Sequence, residues 1–273
     1  MYKPIDSNSN RLHGWARPEG FQFAATDAVV PLLMAEASHA LATFPLAFHA
    51  DSSGAYSLVA LQSVSAGCNL FLDANGRCIA AYIPCHYRAY PFALLQAQTE
   101  GKTVYMLGFD HSSGLYREAP SPQTNEQRFF DDASNPLAWM QQQTKFLAEI
   151  AKNRGLTQQA VDALAAAKVL VPWDVSSVAD TAAVTEPLTG LYRISQEALN
   201  GLPATVLELL RDCKALELAY AQLLSMPRLK PLQQLHAKRF PQKQTNAGAP
   251  ATTSTDPLTP NQLEDLLKFD WMK

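Results

Sequence analysis

Charge is scarce in this chain. Only 17% of its 273 residues are charged, below the roughly one quarter usual for globular proteins. Hydrophobic residues reach 47%, which excludes disorder over most of the chain, because disorder needs low hydrophobicity and high net charge. Neither sign dominates: 22 Lys+Arg against 25 Asp+Glu leave −3, so no basic excess points to nucleic acid. Apolar runs are short of the roughly 18 residues that a membrane span requires, and no transmembrane helix is expected. The opening MYKPIDSNSNRLHGW lacks the apolar core of a secretory signal. Cysteine is sparse, and Cys68, Cys78, Cys85 and Cys213 show no Cys-x-x-Cys spacing. Scattered cysteines without a leader fit free thiols in a reducing cytoplasm, the expected compartment. Phosphate-cradling glycine loops and the G-x-S-x-G elbow are absent, so nucleotide binding and hydrolase chemistry have no signature. The nearest approach to a metal set joins Cys78, Cys85-His86 and Asp110-His111, but its pairs are adjacent rather than spaced as zinc ligands usually are. No metal and no cofactor is expected.

What is present changes character along the chain. The first half reads mainly as strands. From Ala47 to Leu61 the chain offers two apolar runs, the end of FPLAF and YSLVAL, split by the turn-like DSSGA. Asn75-Gly76 predicts a type I′ hairpin between Asn69–Ala74 and Arg77–Pro84. It would place Leu70, Leu72 and Ile79 on one face, with Phe71 and Cys78 on the other. A further hairpin is expected from Thr103 to Arg117, turning at Ser112-Ser113-Gly114, and an early helix from Pro31 to Thr43. The second half reads mainly as helix. Leu137, Met140, Thr144, Leu147 and Ala151 keep helical spacing, with Gly155 as the stop and Thr157 as the cap of a second helix. Thr189–Ile194 reads as a strand, Ser195 as the cap of a helix stopping near Gly201, and two or three helices fill Pro203–Phe240. The expected fold is α+β, an antiparallel sheet from the first half covered by helices from the second.

One domain is expected over residues 1–241. QKQTNAGAPATTSTDP then has linker composition, giving a tether over 242–258. The end of the chain, 259–273, reads as an amphipathic helix: Thr259 and Gln262 form a capping box with Pro260 at the first helical position. Leu263, Leu266 and Leu267 line one face, followed by Phe269 and Trp271. An isolated helix this short is marginal in water, so it needs a surface, either its own domain or a partner's groove. Between Leu218 and Thr255 there is no acid, while Arg228, Lys230, Lys238, Arg239 and Lys243 occur. Such a run is usually a solvated face; it also complements the tail's Asp256, Glu264, Asp265 and Asp270.

The densest unusual segment is YIPCHYRAYPF, Tyr82–Phe92. A guanidinium among aromatic faces gains cation–π energy while still presenting a fork to a carboxylate or phosphate. Arg88 with Tyr82, His86, Tyr87 and Tyr90 is therefore the candidate ligand- or peptide-binding set. The bland alternative is an arginine stacked at a sheet edge and paired to a core carboxylate.

Several segments together resemble one family. They are Pro31-Leu32-Leu33 with Glu36, Phe44-Pro45-Leu46-Ala47-Phe48, Asn69-Leu70-Phe71-Leu72-Asp73 with Gly76, and Tyr82-Ile83-Pro84 with Arg88 and Tyr90-Pro91-Phe92. Later come Leu191-Tyr192-Arg193-Ile194 and Leu218-Ala219-Tyr220-Ala221-Gln222-Leu223-Leu224-Ser225. This ordered set resembles the SapC family, named after a gene of a bacterial surface-layer protein cluster. The resemblance spans roughly residues 2 to 240. It implies no catalytic residues, since the family has no established enzymatic activity. It implies an association with surface-layer protein production or export. It also implies neighbours of the TonB-dependent receptor, flavin-dependent halogenase-like and cupin-type oxygenase classes. The chain departs from the family where Gly76-Arg77-Cys78 stands in place of a bulky aromatic. The leading expectation is a non-catalytic cytoplasmic accessory protein that binds a protein or peptide client or a modifying enzyme. The alternative is an enzyme or enzyme subunit acting on a peptide or small molecule, with Arg88 orienting an anionic group and His86 or His111 as acid/base. A purely structural envelope component is a third reading, opposed by the opening residues.

Overall fold

The computed structural model describes residues 1–99, 102–121, 123–176 and 186–241. The tether and the terminal helix, with Leu263, Leu266, Leu267, Phe269 and Trp271, lie outside the described residues. In chain order the strands are β1 (Tyr2–Pro4), β2 (Gly14–Ala16), β3 (Val29–Pro31), β4 (Leu46–Ala50), β5 (Tyr56–Leu61), β6 (Phe92–Thr99), β7 (Lys102–Asp110), β8 (Tyr116–Arg117), β9 (Glu126–Arg128), β10 (Leu170–Pro172) and β11 (Leu191–Ile194). The α-helices are α1 (Ala37–Ala40), α2 (Cys85–Ala89), α3 (Ala138–Ala166), α4 (Gln196–Asn200), α5 (Ala204–Asp212), α6 (Ala215–Ser225) and α7 (Leu229–Arg239). The class is α+β, with every strand pair antiparallel. The described residues divide into two compact units. The first holds Met1–Glu19 and Cys85–Gly155; the second holds Gly20–Pro84 and the chain from Leu156 onward.

The first unit carries two three-stranded sheets, β1-β7-β6 and β8-β2-β9. Its core is aromatic. Trp15 meets Phe92 edge-on at 4.8 Å and Trp139 at 5.6 Å, and Phe109 lies 5.9 Å from Phe129. Edge and tilted contacts suit the ring quadrupoles. The expected hairpin from Thr103 to Arg117 is not formed. Strand β7 pairs with β6 and β1, while β8 pairs with β2. The side chain of Asp110 accepts from the Ser112 N–H and caps a 3-10 turn at His111–Ser113, with Gly114 left-handed at φ 71°. That turn redirects the chain to another sheet instead of folding it back.

The second unit is built on a five-stranded sheet, β10-β11-β4-β5-β3. The β4–β5 hairpin falls where the DSSGA turn places it, with Asp51 accepting the Ser53 and Ala55 N–H groups. Ser195 caps α4 as expected, its hydroxyl accepting from the Ala198 N–H at 3.2 Å. Helix α6 covers the sheet and enters its ladder. Pairing Leu191 with His49 and Tyr192 with Phe48 puts Ile194 opposite Leu46 if the register continues. There the Gln222 amide takes over, accepting from the Ile194 N–H at 3.0 Å and donating to the Leu46 carbonyl at 3.2 Å. Ser225 accepts the Leu46 N–H at 2.8 Å and donates to the Gln222 carbonyl at 2.6 Å. Both side chains are fully buried.

Three local expectations of this unit are corrected. Pro31 lies in β3, and only Met34–Glu36 (as 3-10 helix) and α1 are helical, because Leu33 is extended and the Glu36 carboxylate accepts its N–H. The Asn75-Gly76 turn is not type I′: Gly76 alone has positive φ. Asp73 accepts the Asn75 and Arg77 N–H groups, and pairing shrinks to one bridge between Leu72 and Cys78. Leu70, Phe71 and Leu72 are all buried, so no two-faced strand exists there. Finally, α3 runs unbroken through Gly155, its first part in the first unit and its last part in the second. A helical glycine costs only about 1 kcal/mol. Thr157 does not cap a helix; its hydroxyl accepts the Met34 N–H at 2.8 Å.

Candidate functional site

The densest aromatic segment forms a helical turn, α2, leading into β6. Cys85, Tyr87 and Ala89 are buried, and His86 and Arg88 are exposed. Helix α3 holds this turn. Gln143 donates to the Ala89 carbonyl at 3.4 Å, one of the acceptors a helix end leaves unpaired. One turn further along α3, the Phe146 ring lies under the Arg88 guanidinium at 5.4 Å. A stacked guanidinium loses less freedom on engaging a carboxylate than a mobile one, and it keeps its planar fork. The His86 ring lies 5.9 Å from Tyr87. Tyr90 is half-buried; burial, then the nearby Asp110 charge, pushes its phenol above the usual range.

His86, Tyr87, Arg88 and Tyr90 belong to the first unit, whereas Tyr82 belongs to the second. There Tyr82 donates to the buried Glu36 carboxylate at 2.6 Å and stacks on His39 at 5.8 Å. Glu36 thus ties its own turn to the irregular segment before Pro84. Tyr82→Phe is expected to destabilise the second unit by about 2 kcal/mol, since a hydrogen bond to a charged group is lost. Urea denaturation of the variant checks this.

A second polar group had no sequence signal. Asn10, buried, donates to the Tyr116 hydroxyl at 2.7 Å, and that hydroxyl lies 2.5 Å from Nδ1 of His13. Where the His13 ring proton sits on Nε2, the phenol donates to Nδ1; where it sits on Nδ1, the ring donates to the phenol oxygen. The His111 ring lies on Tyr116 with centroids 4.1 Å apart. Burial, then the Lys3 charge, lowers the His111 pKa from its ordinary value, and burial raises that of Tyr116. The arrangement is a phenol–imidazole pair beside an uncharged imidazole, a combination suited to moving a proton. These residues come from a loop before β2, the 3-10 turn after β7 and the start of β8. Only the folded first unit brings them together. His111, one of the expected acid/base residues, sits in this group, while Phe146 is the ring against Arg88.

Among the described residues no three His, Cys, Asp or Glu side chains converge as a metal-holding group, and the four cysteines are free thiols. No described helix is long and apolar enough to cross a membrane.

No curated protein matches the chain, and neither does any solved structure. One family model does match, over residues 5–232. That interval holds both units' sheets apart from β1, the Arg88 turn, the His13–Tyr116 group and the Gln222 joint. The ordered segments that carried the resemblance are thus matched as one continuous stretch, and the chain belongs to the SapC family.

Proposed function

We propose that this protein is a non-catalytic accessory protein that binds a protein or peptide client through the exposed face of α2. Arg88 receives an acidic group of that client. The observation that carries this reading is the exposed Arg88 guanidinium stacked on Phe146, on a turn pinned to α3 by Gln143. In this reading residues 1–241 are the folded body, 242–258 a tether and 259–273 a second docking element. That element would use Leu263, Leu266, Leu267, Phe269 and Trp271. Family membership supports a place in surface-layer or outer-membrane-receptor related processes, carried out in the cytoplasm. Partners of the flavin-dependent halogenase-like, cupin-type or TonB-dependent receptor classes fit that place.

Arg88→Ala is expected to weaken client binding by roughly tenfold or more, the loss typical of an arginine hot spot. Arg88→Lys should recover little, because an ammonium lacks the fork and stacks poorly. Titration of the purified client against the three forms checks both. Equal affinity across all three would remove Arg88 from the site.

One observation favours the alternative of an enzyme or enzyme subunit. The Asn10–Tyr116–His13 chain with His111 is an acid/base group in the same unit as Arg88, which would orient an anionic substrate. The discriminating pair is Tyr116→Phe and His111→Asn. Client affinity unchanged in both supports the accessory reading, whereas loss of a turnover of the client in either supports the enzyme.

A further inference from the structure

The second unit holds a group of nucleophilic side chains that the reading above does not use. After β5 the chain forms a loop with Ser63 and Ser65 buried and Cys68 half-buried. The loop is held on several sides. Asn69 donates to the Ala24 carbonyl at 3.2 Å and accepts the Phe71 N–H at 3.0 Å. The Ala66 N–H donates to the Glu186 carbonyl at 2.9 Å. Arg239, at the end of α7, donates to the Leu72 carbonyl at 3.4 Å. Helix α7 also brings His236, 3% exposed, to the same place.

We propose that Cys68 is a nucleophilic thiol served by a proton relay through Ser65 to His236, and that it reacts with low-molecular-weight disulfides. Its Sγ lies 3.6 Å from the Ser65 hydroxyl, which lies 3.2 Å from Nε2 of His236. With the ring proton on Nδ1, Nε2 accepts the Ser65 proton as Ser65 takes that of the thiol. Burial lowers the His236 pKa from its ordinary value, so the ring rests neutral. Ser63 supplies the other need of a thiolate. Its oxygen accepts the Ser65 N–H at 3.1 Å and lies 3.0 Å from Sγ, where its own proton can stabilise the anion. Next to Cys68, Gly67 has φ 75°, and a Cβ added there would meet nothing within 4 Å among the described residues.

In the reaction, the Cys68 thiolate attacks one sulfur of the disulfide and the S–S bond breaks. The departing thiolate takes up the proton passed to His236. Protein thiol and disulfide become a mixed disulfide and one free thiol, with the small disulfide as the oxidant. The other cysteines lack this setting. Cys85 is buried, and burial raises the Cys78 pKa; the Cys213 thiol donates to the Leu210 carbonyl at 3.6 Å as the Cys68 thiol does to the Ser65 carbonyl at 3.9 Å, so what sets Cys68 apart is the two hydroxyls at its sulfur. Cys213, half-buried like Cys68, is the internal reference.

The test treats the full chain with 2,2′-dithiodipyridine at neutral pH, quenches at intervals and follows each cysteine by peptide mass spectrometry. Cys68 is expected to react about tenfold faster than Cys213, a modest share of what a positioned base contributes. Ser65→Ala and His236→Gln should each slow Cys68 by about the same factor and leave Cys213 and Cys85 unchanged. Loosened packing gives the opposite sign, since it exposes thiols and speeds Cys68 together with Cys213 of the same unit. That outcome would make Ser65 and His236 structural and overturn the relay. Cys68 reacting no faster than Cys213 in the unaltered protein would overturn the proposal without any variant.

Discussion

Gln222→Leu should lower the stability of the second unit by about 4 kcal/mol. The substitution keeps an apolar side chain of similar size on α6 but removes both halves of the amide. The Ile194 N–H and the Leu46 carbonyl each lose the partner Gln222 supplied, with only leucine methyl groups beside them. Each buried backbone group left without a partner costs about 1–3 kcal/mol. No water can replace the amide without opening α6, since Gln222 and Ser225 are fully buried. In a domain of this size that loss lowers the thermal midpoint by roughly 10 °C. Gln222→Glu provides a contrast. It keeps an acceptor for Ile194 but turns the donor facing Leu46 into an acceptor, so its loss should match or exceed that of leucine. Thermal melts of the three forms check the ranking. A Gln222→Leu variant within 1 kcal/mol of the parent would show that the amide only fills space.

Gly14→Ala is expected to be as damaging in the first unit. Gly14 lies in β2, the middle strand of its sheet, flanked by Arg117 on β8 and Arg128 on β9. A Cβ there would stand 2.1 Å from the Gln127 carbonyl oxygen and 2.9 Å from the Pro120 ring. Neither neighbour is the far end of a flexible side chain, so β2 and β9 must separate. Separation breaks the ladder next to Trp15, the hub of the aromatic core. A cost of about 4 kcal/mol or more follows, placing the variant among the exceptional substitutions. Near-ultraviolet circular dichroism gives the most direct readout, because Trp15 and Trp139 should lose their fixed surroundings. An unchanged aromatic spectrum would contradict the packing described for this sheet.

These two positions also show what the sequence can disclose. Gln222 stands in a segment that carried the family resemblance, yet its role needs the register of β11 against β4. Gly14 gave no turn signal, because its need for a missing side chain comes from β9, far along the chain. Local chemistry was legible where it is decided locally. Ser195 caps α4, and the DSSGA turn closes β4 onto β5 through Asp51. It misled where a side chain competes with the backbone. Asp73 organises the Asn75-Gly76 turn, and Glu36 stops an early helix from extending back to Pro31. Gly155 misled for a different reason: a single glycine costs less than the rest of α3 gains by continuing. The candidate site was half legible. An arginine among aromatics marked α2, but the ring beneath it, Phe146, lies on a helix whose docking no periodicity discloses. The Asn10–Tyr116–His13 group was not legible at all, since three distant segments supply it.

The central claim is that the α2 face with Arg88 binds a client. Affinity purification from the native organism tests it most directly, with partners identified by mass spectrometry for three matched baits. These are the full chain, the Arg88→Ala variant and the chain ended after Phe240. The account expects a specific partner with the full chain, its loss with Arg88→Ala at an unchanged melting temperature, and its weakening with the shortened chain. The same partner recovered equally by the full chain and by Arg88→Ala would contradict it.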